Sequence, residues 1–290
     1  MPNPSCPDWA EAVLNGFSQI FLQRHPVCGL LCLLAILLCA PQLLGGALLG
    51  GIAGLITAQR RDYPKAERQA GLYSYNGVLL GLLISQHCAW SALLPPLILA
   101  CGGLSAILTR QWLKRANNPT NLPAYTAPFV GLGWLLLGAS PASAPTAITV
   151  DAGSLLGAPL TGLGQIILLD QPLAGLLIAL GLLLANRRAA FWALIGASVG
   201  VLFALQSDAP AALLGLHSYN PALAAVALSQ LRRQPWPPLC GIFLAILLTP
   251  GFAALHLAAL TAPFILACWL ARATVRMMPS ANMDSPFESP

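Results

Sequence analysis

The chain has 290 residues, of which 57% are hydrophobic and 8% are charged, and it carries a formal net charge of +5. This composition excludes an ordinary soluble domain, in which about 25% of the residues are charged. A bilayer core about 30 Å thick is crossed by about 20 apolar residues in a helix, and the chain contains many such stretches. The sequence therefore predicts an all-α polytopic membrane protein.

Apolar runs between polar breaks predict ten membrane crossings, five in each half of the chain. In chain order they lie at roughly residues 14–39, 42–58, 77–93, 96–112, 123–138, 160–184, 190–205, 222–231, 239–248 and 254–270. Two segments, 67–93 and 210–230, are too long for one crossing and too short for two. Each is predicted to contain a re-entrant half-helix that leads into a full one.

An Asn lies in the middle of each long segment, between a Tyr and a residue that interrupts helices. The two stretches are Tyr75-Asn76-Gly77 and Tyr219-Asn220-Pro221. Because Asn is a good helix cap, each Asn is predicted to cap the half-helix that restarts after the break.

The basic residues fall on one side of this arrangement. If the N-terminus is cytoplasmic, the inside loops hold every Lys and Arg except Arg24, namely Arg60, Arg61, Lys65, Arg68, Arg110, Lys114, Arg115, Arg187, Arg188, Arg232, Arg233, Arg272 and Arg276. The outside loops carry Asp151 and Asp208 but no basic residue. This positive-inside pattern predicts a multi-pass protein of the cell (inner) membrane with both termini in the cytoplasm. The net charge thus indicates topology and not nucleic-acid binding.

Four blocks of sequence recur in the same order in the two halves. The stretches that begin at Ser18, Ala47, Tyr75 and Leu122 match those that begin at Gly164, Ala193, Tyr219 and Leu257, with offsets of 146, 146, 144 and 135 residues. The chain is interpreted as a first repeat (1–139), an extracytoplasmic linker (140–159), a second repeat (160–276) and a disordered tail (277–290). Five crossings per repeat are an odd number, so the second repeat is inverted, which predicts a pore at the repeat interface.

One short motif suggests a different function. Asn220-Pro221-Ala222 matches the signature of water channels, but the first copy is Asn76-Gly77-Val78 and each half has five crossings. A water channel would repeat the motif and have three crossings per half, so the match is interpreted as a coincidence of half-helix capping.

The repeated motifs resemble those of urea transporters of the bacterial type. They are the Gln blocks from Gln19 to Pro26 and from Gln165 to Pro172, the Tyr-Asn-Gly-Val-Leu-Leu-Gly block at Tyr75, and the Thr-Ala-Pro-Phe blocks at Thr126 and Thr261. The resemblance runs from about residue 15 to about residue 271 and includes both halves. It implies channel-like facilitated diffusion of urea without ion coupling, no enzymatic activity, no cofactor, and a homotrimer with one pore per protomer.

Urea is planar and neutral, so a suitable conduit is a flat apolar or aromatic slot with a line of hydrogen-bond acceptors that replace its hydration. By motif matching, the resemblance assigns the acceptors to Gln19, Thr126, Gln165 and Thr261. It assigns the walls to Leu22, Tyr75, Leu79, Leu168, Tyr219 and Leu223. Leu22 departs from the family pattern, in which a Phe is expected three residues after the first Gln.

Two other classes of membrane protein stay open on sequence grounds. An ion-coupled secondary transporter shares the inverted repeat but normally places carboxylates at its site, for which Asp170 is the only candidate. An ammonium or small-amide channel is the other alternative, although an ammonium channel is expected to pair pore histidines and the four His residues are scattered. The Cys residues are interpreted as small hydrophobic residues.

Arg24 and Asp170 occupy matching positions in the two repeats, inside predicted crossings. Because an unpaired charge in a bilayer is costly, they are predicted to meet as a structural ion pair. The alternative for the two charges is a proton or ion relay.

Overall fold

The computed structural model describes residues 8–116, 122–138, 152–206, 209–231 and 233–277, and within these ranges every regular element is a helix. The first half holds α1 (Asp8–Gln19), α2 (Pro26–Cys39), α3 (Pro41–Arg60), α4 (Lys65–Gln69), α5 (Tyr75–His87), α6 (Leu94–Ala116) and α7 (Ala127–Leu137). The second half holds α8 (Ala152–Gln165), α9 (Pro172–Ala185), α10 (Arg187–Ala204), α11 (Ala209–Leu213), α12 (Tyr219–Ser229), α13 (Trp236–Ala254) and α14 (Ala262–Met277). The predicted all-helical fold is confirmed for these ranges.

Three of the described helices, α3, α10 and α13, are long and apolar enough to cross a membrane on their own. Helices α2, α7 and α9 and most of α14 are equally apolar but shorter. The apolar helices agree with the prediction of a membrane protein. The predicted tail, most of the predicted linker, and Asp151 and Asp208 lie outside the described residues.

The prediction of one continuous helix over residues 14–39 is wrong. Helix α1 ends at Gln19 and α2 begins at Pro26. Leu22, in the turn between them, has a φ of 59°. Pro26 has no N–H to donate and disfavours helical geometry at His25, whose ring accepts a bond from the backbone N–H of Cys28 at 3.3 Å.

The prediction of one helix over residues 160–184 is wrong for the same reason. Helix α8 ends at Gln165, Leu168 has a φ of 60°, and α9 begins at Pro172. Two helix starts are also corrected, since α8 begins at Ala152, inside the predicted linker, and α14 begins at Ala262 and not near residue 254. The turn before α14 includes His256 and Leu260, which have positive φ values of 54° and 42°.

The predicted pairing of Arg24 with Asp170 is also wrong. Two contacts show that helices α2 and α9 pack antiparallel. The Gln171 amide, before α9, donates to the carbonyl of Cys39 at the end of α2 at 2.9 Å, and Cys28 near the start of α2 packs against Gly181 near the end of α9. Arg24 and Asp170 precede the two helices and lie at opposite ends of the pair, roughly 20 Å apart at 1.5 Å per helical residue. The Arg24 guanidinium lies 3.8 Å from the Glu11 carboxylate and is more than half exposed.

Helices α7 and α14 exchange equivalent hydrogen bonds. The Trp134 indole N–H donates to the carbonyl of Ala258 at 2.8 Å, and the Trp269 indole N–H donates to the carbonyl of Pro123 at 2.9 Å. Both the donors and the acceptors are separated by 135 residues, the offset of the last repeated block. Reciprocal contacts of this kind are typical of two units related by a two-fold axis.

Close backbone contact holds α5 in the interior. A Cβ added to Gly50 of α3 would lie 2.0 Å from the carbonyl oxygen of Gly77, and one added to Gly46 would lie 2.5 Å from that of Gly81. All residues from Tyr75 to Ile84 are buried as a result. In the second half, a Cβ added to Gly196 of α10 would lie 2.6 Å from the carbonyl oxygen of Pro221, at the start of α12.

The Gly50→Ala substitution should destabilise the protein by more than the roughly 1–3 kcal/mol that is typical of overpacking, since the Cβ meets rigid backbone. Thermal unfolding of the detergent-purified protein measures the effect. Gly131→Ala in α7 is the matched control because a Cβ there has no neighbour within 4 Å. Equal melting temperatures for the two variants would contradict the close approach of α3 and α5.

Candidate functional site

Two buried asparagines link the starts of four helices. The Asn76 side-chain oxygen accepts a bond from the backbone N–H of Phe129 at 3.2 Å, and that of Asn220 accepts from Phe264 at 3.1 Å. Phe129 and Phe264 are the third residues of α7 and α14, whose first N–H groups have no partner within their own helix. Each Asn thus caps a neighbouring helix.

Each predicted segment contains a break, but it lies before Tyr75 and Tyr219 and not at Gly77 and Pro221, which are inside α5 and α12. The predicted role of the asparagines is also wrong. Helices α5 and α12 start at Tyr75 and Tyr219, after turns in which Gly71 and Gly215 have φ values of 76° and 73°. Their N-cap residues are Ser74 and Ser218, which make no side-chain capping bond. Asn76 and Asn220 are the second residues of these helices and point toward α7 and α14.

The remaining polar groups of the two asparagines are also used. The Asn76 amide donates to the Thr109 hydroxyl at 3.2 Å, and the Asn220 amide donates to the Leu260 carbonyl at 2.9 Å. Both side chains are 1% exposed. Buried amides that are bonded at both ends fix the relative positions of the helices that they join.

The hydroxyls of Thr126 and Thr261 lie 2.6 Å apart. Thr126 is the N-cap of α7 and Thr261 directly precedes α14, and each is 3% exposed. Next to this pair, the Tyr75 hydroxyl donates to the backbone carbonyl of Tyr125. The structure therefore brings the two predicted threonines together, where the first turns of α5, α7, α12 and α14 meet.

The other predicted site residues fall into two groups that differ in how deeply their side chains are buried. Leu79 and Leu223 are 1% exposed and lie one turn after Tyr75 and Tyr219. Tyr219 is half-buried, as are the pairs at the ends of α1 and α8, which are Gln19, Leu22, Gln165 and Leu168. The apolar members all belong to, or pack against, one hydrophobic cluster. Burial thus decreases from the threonine pair toward the ends of α1 and α8.

Two open cavities lie at the far ends of α5 and α12. The Asp170 cavity, of about 470 Å³, is lined by Cys39, Ala40, Gln42, Leu43, Ser85, Gln86, Gln165, Leu168, Leu169, Asp170, Gln171, Leu214 and Leu216. The Arg188 cavity, of about 380 Å³, is lined by Gln23, Asn186, Arg188, Ser229, Gln230, Leu231 and Arg233. Ser85-Gln86 and Ser229-Gln230 are related by the 144-residue offset, so the cavities occupy repeat-related places.

The distances along the two helices relate the cavities to the threonine pair. Ten residues separate Tyr75 from Ser85 in α5, and ten separate Tyr219 from Ser229 in α12. At 1.5 Å per residue, each cavity lies about 15 Å along its helix from the level of the threonines, which is about half the thickness of a hydrocarbon core.

Sequence reasoning missed the polar residues that line the cavities, among them Gln42, Ser85, Gln86 and Gln230. A signal was present, since the third repeated block extends by one further identical residue from Ser85 to Gln86 and from Ser229 to Gln230. Within the described residues, no group of three or more His, Cys, Asp or Glu side chains could hold a metal ion.

Comparison with known proteins assigns a family. A family model described as urea transporter matches residues 10–275. The chain is 26% identical over 282 residues to urea transporter 1 of Ovis aries, with 89% of this chain and 70% of the relative covered. It is 28% identical over 297 residues to urea transporter 1 of Rattus norvegicus, with 91% and 75% covered.

The Asn220→Ala substitution should lower the melting temperature of the purified protein. It leaves the N–H of Phe264 and the carbonyl of Leu260 without their side-chain partners, at about 1–3 kcal/mol for each buried group. Ser105→Ala is the control, because the Ser105 hydroxyl is also buried but bonds only to Gly102 within its own helix. A loss of stability no larger than that of the control would exclude the capping role of Asn220.

Proposed function

The chain belongs to the urea transporter family, and we propose that it passes urea across a membrane by facilitated diffusion through a narrow slot, without ion coupling. Members of this family are transport proteins and not enzymes. The observation that carries the slot is the buried Thr126–Thr261 pair, placed at similar helical distances from two open cavities at repeat-related positions.

The proposed architecture is a pair of inverted repeats with the slot at their interface. The helices of the two halves correspond in order from α1/α8 to α7/α14, and the Trp134 and Trp269 bonds are reciprocal. In each repeat we assign the re-entrant half-helix to α1 or α8, in place of the half-helices predicted in residues 67–93 and 210–230, where only the five-residue helices α4 and α11 precede α5 and α12. The chain reverses after Gln19, where the Ser18 hydroxyl donates to the Gln23 carbonyl at 2.9 Å and Gly29 packs against Leu14.

This assignment leaves five crossings per repeat, which contain α2, α3, α5, α6 and α7 and their counterparts α9, α10, α12, α13 and α14. Helices α5, α7, α12 and α14 begin at the level of the threonine pair and form only part of their crossings. It also keeps the predicted orientation, with the basic loops and both termini in the cytoplasm of a cell membrane. The homotrimer, with one pore per protomer, is proposed from the family resemblance.

Urea enters from either cavity and exchanges water for the amide and hydroxyl oxygens of the slot. The amide nitrogen of Gln165 donates to the Leu214 carbonyl at 3.0 Å, so the amide oxygen is the group that accepts from urea. Gln19 is its repeat-related counterpart. Several sites of moderate strength let a solute leave as readily as it enters.

The threonine pair forms the narrowest part of the slot. A threonine hydroxyl both donates and accepts, so each can serve the carbonyl or the N–H groups of urea by rotating. Tyr75 and Leu79 with Tyr219 and Leu223 form the walls, and the bond from Tyr75 to the Tyr125 carbonyl fixes one aromatic ring.

Cations are excluded by the same features. None of the ten proposed slot residues is charged. Helices α7 and α14 both begin at the threonine pair, and the positive ends of their dipoles point toward it. A cation would lose its hydration there without gaining a countercharge.

The Thr126→Val and Thr261→Val substitutions should each reduce urea flux. Each substitution keeps the shape of the side chain and removes one hydroxyl. Losing that hydrogen bond should cost the passing urea about 1–3 kcal/mol, which lowers the flux roughly tenfold to a hundredfold where that site limits passage. Stopped-flow light scattering on proteoliposomes measures the rate. Thr57→Val, outside the repeated motifs and half-buried, is the control and should conduct at the wild-type rate.

The double variant separates conduction from packing. If the hydroxyls serve only each other, removing both leaves no unpaired group, and the double variant should conduct like the wild type. If they serve urea, it should be at least as slow as the slower single variant. Wild-type flux in the double variant would show that the threonines are packing residues and that the slot is misplaced.

A further inference from the structure

The two cavities carry opposite charge. Of the described residues that line the Asp170 cavity, only Asp170 is charged, whereas Arg188 and Arg233 line the other cavity. Part of the difference falls at a repeat-related position, since Gln42 of the Asp170 cavity corresponds to Arg188 of the other cavity at an offset of 146 residues. The repeat therefore places a cavity at each end, of which one is acidic and the other is basic.

The Asp170 cavity is also rich in unused acceptors. The side-chain nitrogens of Gln165 and Gln171 donate to the carbonyls of Leu214 and Cys39, which leaves both amide oxygens available. Ser85 also lines this cavity, and its buried hydroxyl, which packs against Gly46, has no hydrogen-bond partner. These groups, with the exposed Asp170 carboxylate, suit a planar solute that carries several N–H donors.

We propose that the Asp170 cavity binds planar cations of the guanidinium class, which occupy the entrance without crossing. The inference rests on the proposed function, since it makes Asp170 a specificity determinant at one end of the urea slot. A guanidinium has the plane and the N–H donors of urea, and its positive charge allows paired bonds to a carboxylate. The same charge bars it from the buried threonine pair. It therefore blocks urea flux from this end.

The test uses methylguanidinium chloride as the probe and N-methylurea as its neutral counterpart. Urea efflux from proteoliposomes is measured with the probe equilibrated on both sides of the membrane. The result for each variant is the probe concentration that halves the urea efflux rate of that variant without probe. Asp170→Asn should raise this concentration for methylguanidinium by at least about threefold. It should leave the concentration for N-methylurea unchanged within about twofold.

Two further variants act as controls. Asp62→Asn removes a carboxylate far from the cavity, at a φ of 50° that Asn tolerates, and should leave the methylguanidinium block unchanged. Gln42→Arg places a cation in the Asp170 cavity, as in the Arg188 cavity, and should weaken the block as Asp170→Asn does. If the Asp170→Asn protein does not assemble, the Gln42→Arg variant alone tests whether the cavity binds the cation.

Binding is read independently by saturation-transfer NMR on the methyl signal of methylguanidinium with the purified full-length protein. A signal that is present in the wild type and lost in Asp170→Asn or Gln42→Arg supports the site. An equal signal or an equal block in wild type and both variants overturns it, as does the absence of any signal and block in the wild type. Absent urea flux would refute the proposed function instead, and the NMR comparison would still decide the cation site.

Discussion

The constraint on which the rest of the structure depends is that every backbone N–H and C=O must be satisfied where water is absent. Helices α7 and α14 start inside the protein, where their first N–H groups would otherwise be unpaired. Asn76 and Asn220 supply the missing partners from neighbouring helices. Because Asn76 and Asn220 cap these helices, the starts of α7 and α14 can meet at the threonine pair. The two hydroxyls can therefore lie within an otherwise apolar interior.

The same constraint explains why the caps need such close packing. A side-chain cap forms only if the side-chain oxygen is held about 3 Å from the backbone nitrogen whose N–H it accepts. Glycines of α3 and α10 provide this, since Gly50 and Gly196 bring backbones into direct contact with the starts of α5 and α12. The cavities at the other ends of these helices are lined by amides and charged groups, so in the proposed slot a solute would meet polar groups first and the buried pair afterwards.

The sequence predicts much of this arrangement, and its errors have physical causes. Hydropathy locates α3, α6 and α10. The lengths of segments 67–93 and 210–230 indicate a break in each, but the turns lie at Gly71 and Gly215 and not at Gly77 and Pro221. The breaks after Gln19 and Gln165 are missed because Ile20, Phe21 and Leu22 are as apolar as a helix core, and only Pro26 and Pro172 mark the restart. Repeat pairing correctly brings Thr126 to Thr261 and wrongly pairs Arg24 with Asp170. In an inverted repeat, equivalent residues meet only near the axis and otherwise lie at opposite ends. The hydrogen-bond partners of Asn76 and Asn220 lie 33 to 53 residues away along the chain, and local sequence patterns do not contain such contacts.

We propose that urea moves down its own gradient through an uncharged slot, and a flux measurement under controlled ion gradients decides whether it does. Purified protein in proteoliposomes is challenged with a urea gradient while Na⁺, K⁺ and proton gradients are each imposed, reversed or abolished, and protein-free vesicles provide the background. The account predicts a protein-dependent urea flux that is proportional to the urea gradient, is the same under every ionic condition, and generates no membrane potential. A flux that requires an ion gradient, or a urea gradient that builds one, would contradict it.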